Sequence, residues 1–197
     1  MVIAARGRAA ERVRLALLGD SLVAGYGLPR ADGFAARLQA ALDAAGYAVE
    51  VLDAGVSGDT TAGGLARLDW VLGDGPGLVL VELGANDALR GLPPETTHAN
   101  LDAILTRLAE RGVAALLVGM RAPRNLGADY VAAFDAIYPT LAERHGVPLY
   151  PFFLDGVALD PALNQADGIH PNAAGVARIV QGILPMVAAA LDRLAEP

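Results

Sequence analysis

Residues 15–27 read LALLGDSLVAGYG. The aliphatic run 15–18 stops at Gly19-Asp20-Ser21, and Gly25 and Gly27 follow at once. An unbroken apolar run is the mark of a strand covered on both faces, as in parallel sheets flanked by helices. The chain therefore opens with a buried strand that ends on a serine held between glycines. Such a turn suits a phosphate cradle or a nucleophile, and the two imply different proteins.

The same alternation continues outward from this stretch. Apolar runs of strand length recur at 48–52, 78–83, 113–118 and, more briefly, 147–152, after the first at 13–18. Helical spacing separates them: Phe34, Leu38 and Leu42; Leu65, Leu68 and Leu72; Leu101, Ile104, Leu105 and Leu108; Tyr130, Phe134, Ile137 and Leu141. A last set, Val176, Ile179, Val180 and Ile183, closes the series. Glycine signals at Gly46, Gly73-Asp74-Gly75-Pro76-Gly77, Gly112 and Gly146 mark the joints. Repeated strand–helix alternation predicts an α/β doubly wound parallel sheet. With 197 residues and no dividing linker, one domain is expected over 1–197, with 1–12 as an N-terminal extension.

Composition narrows the function. Hydrophobic residues make up 54% and charged residues 19%, the balance of a globular chain. Fifteen basic against 22 acidic residues give a net charge of −7, which argues against nucleic acid as a partner. Cysteine is absent, which removes disulfides, thiolate nucleophiles and Cys-ligated zinc. No stretch reaches the roughly 20 apolar residues of a membrane span, so no stable membrane insertion is expected. Arginines at 6, 8, 12 and 14 are not followed by the apolar core of a secretory signal. A cytoplasmic location is expected as numbered, or a periplasmic one if a signal has been removed.

In a doubly wound sheet, ligands bind beyond the carboxyl ends of the strands. The residues after each strand are thus the candidates. Gly25-Tyr26-Gly27 is followed by Leu28, Pro29 and Arg30, which breaks the dinucleotide fingerprint, and no P-loop motif occurs. A nucleophile needs a base, an orienting acid and donors for an oxyanion. Ser21 is not at the centre of G-x-S-x-G, so the α/β-hydrolase elbow is also excluded.

Of three histidines, His98 lies early in a helix and His145 at a helix end, where a histidine suits the terminal carbonyls. His170 differs. It sits in Asp167-Gly168-Ile169-His170-Pro171-Asn172, with Pro171 suited to the first turn of the last helix. A tight turn at Gly168 would bring the Asp167 carboxylate to one ring nitrogen and leave the other for Ser21. The bland alternative is an ordinary turn with His170 as a helix cap. After the second strand, Gly58 in Val56-Ser57-Gly58-Asp59-Thr60-Thr61 would expose a backbone N–H, or the stretch is a turn capped by Asp59 or Thr60. After the third, Gly84-Ala85-Asn86-Asp87 offers a neutral amide donor, or a plain turn.

Gly19-Asp20-Ser21-Leu22, Gly58, Gly84-x-Asn86-Asp87 and Asp167-x-x-His170, in this order, resemble the four signature blocks of the GDSL, or SGNH, hydrolase family. Ala136-Ile137-Tyr138-Pro139 and Pro148-Leu149-Tyr150-Pro151-Phe152-Phe153 are similar to its bacterial thioesterase I, lysophospholipase L1 and arylesterase branch. The resemblance implies a flavodoxin-like three-layer α/β/α sandwich with a five-stranded parallel sheet. It implies Ser21 as nucleophile, His170 as general base and then acid, and Asp167 as the group orienting it. The Ser21 N–H, the Gly58 N–H and the Asn86 amide would form the oxyanion hole. No metal or organic cofactor is implied, and the partner is a small-molecule acyl ester or thioester. Ala85 stands where those relatives often carry glycine.

Leu89, Leu92 and Pro93, with Leu126 and 154–163, are candidate walls for an acyl chain or simple loop anchors. Arg90, Arg121 and Arg124 could meet a phosphate of the substrate or pair with surface acids. Two rivals stand beside the esterase reading: a carbohydrate acetyl esterase of the same family, and a flavodoxin-like ligand-binding module.

Overall fold

A computed structural model of the chain describes residues 12–195. The extension expected at 1–12 therefore lies, except for Arg12, outside the described residues. The elements are β1 (Val13–Gly19), α1 (Ser21–Ala24), α2 (Phe34–Ala44), β2 (Val49–Gly55), α3 (Thr61–Ala66), α4 (Leu68–Gly73) and β3 (Leu78–Glu82). After them come α5 (Ala85–Leu89), α6 (Pro94–Glu110), β4 (Ala114–Val118), α7 (Ala128–Asp135), α8 (Ile137–His145), β5 (Leu149–Tyr150) and α9 (Ala173–Ala195). The five strands form one sheet in the order β2-β1-β3-β4-β5, parallel throughout. α2 and α9 pack together, while α3, α6 and α8 form a second packed group. This is the α/β architecture that the alternation predicts.

The centre of the sheet explains its apolar runs. Residues 15–18 of β1, all of β3 and 116–118 of β4 are essentially without solvent contact. β2 departs from that pattern because it is an edge strand, with Glu50 and Asp53 exposed. The strand order reverses at β1, so the loops leaving β1 and β3 flank the crevice where ligands bind in such sheets. Gly19, Gly55 and Glu82 lie in one row at the strand ends. A Cβ at Gly55 would overlap the backbone of Ala24, so glycine there lets α1 settle on the end of β2.

Four expectations are corrected. The helix expected through Leu65, Leu68 and Leu72 is two short helices, broken at Arg67, whose side chain turns inward. The helix expected through Tyr130–Leu141 positions also breaks, at Ala136, because Pro139 lacks the N–H to continue it. Prolines 148 and 151 cut the last strand to two residues for the same reason. Lastly, α9 is a 23-residue helix with mean hydropathy 1.6 over an 18-residue stretch, long and apolar enough for a span by that measure alone. Polar Arg178 and Gln181 interrupt it in sequence. Its Val176, Ile179, Val180, Ile183, Val187 and Leu191 are buried within the protein core.

Candidate active site

β1 ends at Gly19, and Asp20 caps the turn that follows: its Oδ1 accepts the Leu22 N–H at 2.9 Å. That cap places Ser21 at the first position of α1, where a backbone N–H has no partner inside the helix. Gly25, in the left-handed region at φ 68°, ends the single turn. After β2, Gly58 adopts φ 83°, a conformation costly for any residue with a side chain. Among the described residues, no protein acceptor meets the N–H of Ser21 or of Gly58.

The loop before α9 carries the acid and the imidazole. An antiparallel bridge between Asn164 and Pro171 closes its base, and the Gln165 N–H donates to His170 O at 2.8 Å. Within it, Asp167 Oδ1 accepts the N–H groups of Ile169 at 2.9 Å and His170 at 3.0 Å. Its Oδ2 lies 2.6 Å from His170 Nδ1. His170 Nε2 in turn lies 2.9 Å from Ser21 Oγ. Hydrogen bonds from the His170 N–H, the His170 ring and the Ile169 N–H hold the Asp167 carboxyl down at about 2. Asp167 is thus ionised at neutral pH, which keeps the ring proton on Nδ1 and leaves Nε2 to accept from Ser21. The Tyr26 ring covers His170 at 4.5 Å between centroids, and Gln165 Nε2 donates to Tyr26 O at 2.7 Å. Asn172, not His170, caps α9, its Oδ1 accepting from Ala174 and Gly175 N–H, so that Pro171 lies just before the cap and not in the first turn.

Asn86, one residue into α5, sends its amide nitrogen towards the same edge. Nδ2 donates to Asp20 Oδ2 at 3.0 Å and to Asp59 O at 2.9 Å. One amide therefore joins the loops after β1, β2 and β3. Below it, Asp20 and Glu82 are both buried, and the Asp20 N–H donates to Glu82 Oε2 at 3.3 Å. Burial pushes the Asp20 carboxyl up to about 6 and raises that of Glu82 well above the usual carboxylate range. Asp87 is also buried but fully engaged, accepting from Thr61 and Thr97.

Residues singled out in the sequence and separated by up to 149 positions thus meet at one sheet edge. A model of the GDSL-like lipase/acylhydrolase family matches residues 17–178, most of the chain. The chain belongs to that family. Relatives agree with this assignment. The esterase TesA of Pseudomonas aeruginosa is 41% identical over 172 residues, covering 87% of this chain and 86% of that protein. Thioesterase 1/protease 1/lysophospholipase L1 of Escherichia coli is 45% identical over 166 residues, 84% of this chain and 78% of its own length. A crystal structure of TesA superposes with a TM-score of 0.86 at 40% identity, covering 90% of this chain and 99% of the other. This member of the GDSL family is a hydrolase on the SGNH α/β fold.

His145 pairs with Asp102 at 2.6 Å instead of capping carbonyls, and His98 lies on α6. Arg124 is held by Asp135 at 2.7 Å, and Arg121 stacks on Phe152. Arg90 donates to Gly58 O at 2.7 Å, beside the candidate hole. Leu89 and Leu126 are exposed, whereas Leu154 and Leu163 pack against the core. Among the described residues, no group of three or more acidic or histidine side chains is placed to hold a metal ion. Sequence reasoning missed Arg67, Asp59, Glu82 and Tyr26. Only Glu82 left a signal, as a lone charge inside the apolar run of β3.

Proposed function

We propose that this GDSL-family hydrolase cleaves carboxylic esters and acyl thioesters through an acyl-enzyme formed on Ser21. The observation that carries the reading is the unbroken relay from Ser21 Oγ through His170 to Asp167, at 2.9 and 2.6 Å. Ser21 Oγ attacks the carbonyl carbon while His170 Nε2 takes its proton. The carbonyl oxygen gains negative charge, which the unpartnered N–H groups of Ser21 and Gly58 receive, joined by the Asn86 amide as it exchanges one of its present acceptors, Asp20 Oδ2 or Asp59 O, for the oxyanion. The intermediate collapses, the alcohol or thiol leaves with the proton from His170, and the acyl group stays on Ser21. Water, deprotonated by His170, then attacks the acyl-enzyme and releases the acid. Asp167 orients the ring and offsets the imidazolium charge at each step.

Exposed apolar side chains support an apolar substrate group. Tyr26, Val56, Leu89 and Ile169 are each 45–53% exposed, and each lies within a few residues of Ser21, Gly58, Asn86 or His170. Large exposed apolar groups concentrated at one place mark a binding surface. They favour an apolar acyl or aryl group over a sugar. The names of the relatives, an esterase and a thioesterase/lysophospholipase, support the same choice.

A serine-directed phosphonate tests the mechanism: stoichiometric labelling in the wild type, lost in Ser21→Ala, is expected, and labelling that survives the substitution refutes Ser21. A p-nitrophenyl ester series from acetate to palmitate, run beside acyl-CoA and lysophospholipid, tests the substrate. Turnover that is highest with acetylated sugars would favour the acetyl esterase instead.

A further inference from the structure

Arg67 stands at the break between α3 and α4, and its guanidinium points away from solvent into the strand ends. All three of its nitrogens are used. Nε donates to Asp59 Oδ2 at 2.6 Å, Nη1 to Ala54 O at 2.6 Å and Nη2 to Gly19 O at 2.9 Å. Gly19 immediately precedes the Asp20-Ser21 turn, and Ala54 is the penultimate residue of β2, just before the Gly58 loop. Asp59 follows Gly58, and its backbone oxygen accepts from Asn86 Nδ2, as Asp20 Oδ2 does.

We propose that Arg67, fixed by Asp59, is a positioning residue that locks the three oxyanion-hole donors to one another. The proposal rests on the hole assigned under the proposed function. One planar fork spans the ends of β1 and β2, and its carboxylate partner carries the link on to the loop after β3. A rigid fork is what arginine offers and lysine does not. The ion pair is only 18% and 14% exposed, so water competes little for either partner. Charge is part of the device. Without Arg67, the Asp59 carboxylate and two free carbonyls would lie at the strand ends that must accept a developing oxyanion. With it, that charge and those dipoles are matched before substrate arrives.

Gly63 shows how tightly the pair is seated. It lies in α3 opposite Asp59, and a Cβ there would overlap Asp59 Oδ1. Gly63→Ala therefore displaces the carboxylate without touching either charged residue, while placing a better helix former in α3.

The test compares wild type with Arg67→Met, Arg67→Lys, Gly63→Ala and Asn86→Ala. Ester turnover, the acid limb of the pH profile and affinity for a boronic acid that mimics the tetrahedral intermediate are read for each. Donors misplaced by about an ångström cost on the order of 100-fold in rate. Arg67→Met is therefore expected to lower kcat about 10- to 100-fold, with KM within about threefold of wild type. Boronate affinity should fall in parallel with kcat, the acid limb should stay where it is, and Arg67→Lys should recover little. In an Asn86→Ala background, Arg67→Met should cost far less than it does alone, because the two act through one hole. Should Arg67→Met fail to fold, Gly63→Ala carries the same readouts, with kcat and boronate affinity falling although thermal stability is kept. A wild-type enzyme that Ser21-directed phosphonate does not label, or an Asn86→Ala variant with full turnover, means that the hole itself is wrongly assigned. With labelling intact and Asn86→Ala impaired, unchanged kcat in Arg67→Met or Gly63→Ala overturns the clamp, as do fully independent effects of Arg67 and Asn86.

Discussion

Behind Ser21, Glu82 and Asp20 are buried out of reach of water. Glu82 Oε2 accepts the Asp20 N–H, but Oε1 has no partner among the described residues. An ionised carboxylate so placed would be uncompensated, and burial raises its pKa, with the neighbouring Asp20 adding to the shift. The sign of the stability effect follows. The folded state keeps a proton on Glu82 that the unfolded chain releases above its ordinary value of 4.5, so this contribution is full below that value and is lost as pH rises. Glu82→Gln is neutral at every pH and should raise Tm relative to wild type more at pH 8 than at pH 5. Thermal unfolding at both values checks this, and an equal shift at the two would show that Glu82 does not titrate abnormally. Asp167 works in the opposite direction: its lowered pKa stabilises the fold above the unfolded value of 3.8 and is lost as pH falls through about 2.

At the scale of elements, β2 carries a free edge, and Gln39 from α2 covers part of it. Its Oε1 accepts the Val51 N–H at 2.8 Å and its Nε2 donates to Val49 O at 3.2 Å, as a neighbouring strand would. Gln39→Ala leaves both strand groups to solvent and should cost about 1 kcal/mol, measurable by urea denaturation. The elements also show where sequence reading stops. Strands in the middle of the sheet were legible because they are apolar nearly throughout, and helices because their leucines recur every three or four residues. The breaks at Arg67 and Ala136 were not. Hydrophobic spacing continues straight across both, and what interrupts the helices is an arginine drawn to carbonyls 13 and 48 positions away, and a proline three residues beyond the joint.

For the molecule as a whole, an acidic chain of net charge −7 and pI near 4.8 should be least soluble close to that pH. Light scattering between pH 4 and 8 is expected to peak near 5, and a flat trace would show that the charge is not what keeps it dispersed. The site follows the same logic of long-range assembly. Ser21, Gly58, Asn86, Asp167 and His170 could be picked out because each falls in a recognisable block after a strand or before the last helix. Arg67 and Asp59 could not, since an arginine between helices and an aspartate in a turn have ordinary surface explanations until the fold brings them together. The relay also divides unevenly along the chain. Its hydroxyl comes from the first turn of the domain, whereas its acid and imidazole share a four-residue loop leading into the final helix. During synthesis the ribosome thus delivers the hydroxyl long before the acid and imidazole proposed to act with it. No nascent fragment that stops short of residue 170 holds both, so the proposed relay cannot close on a shorter chain.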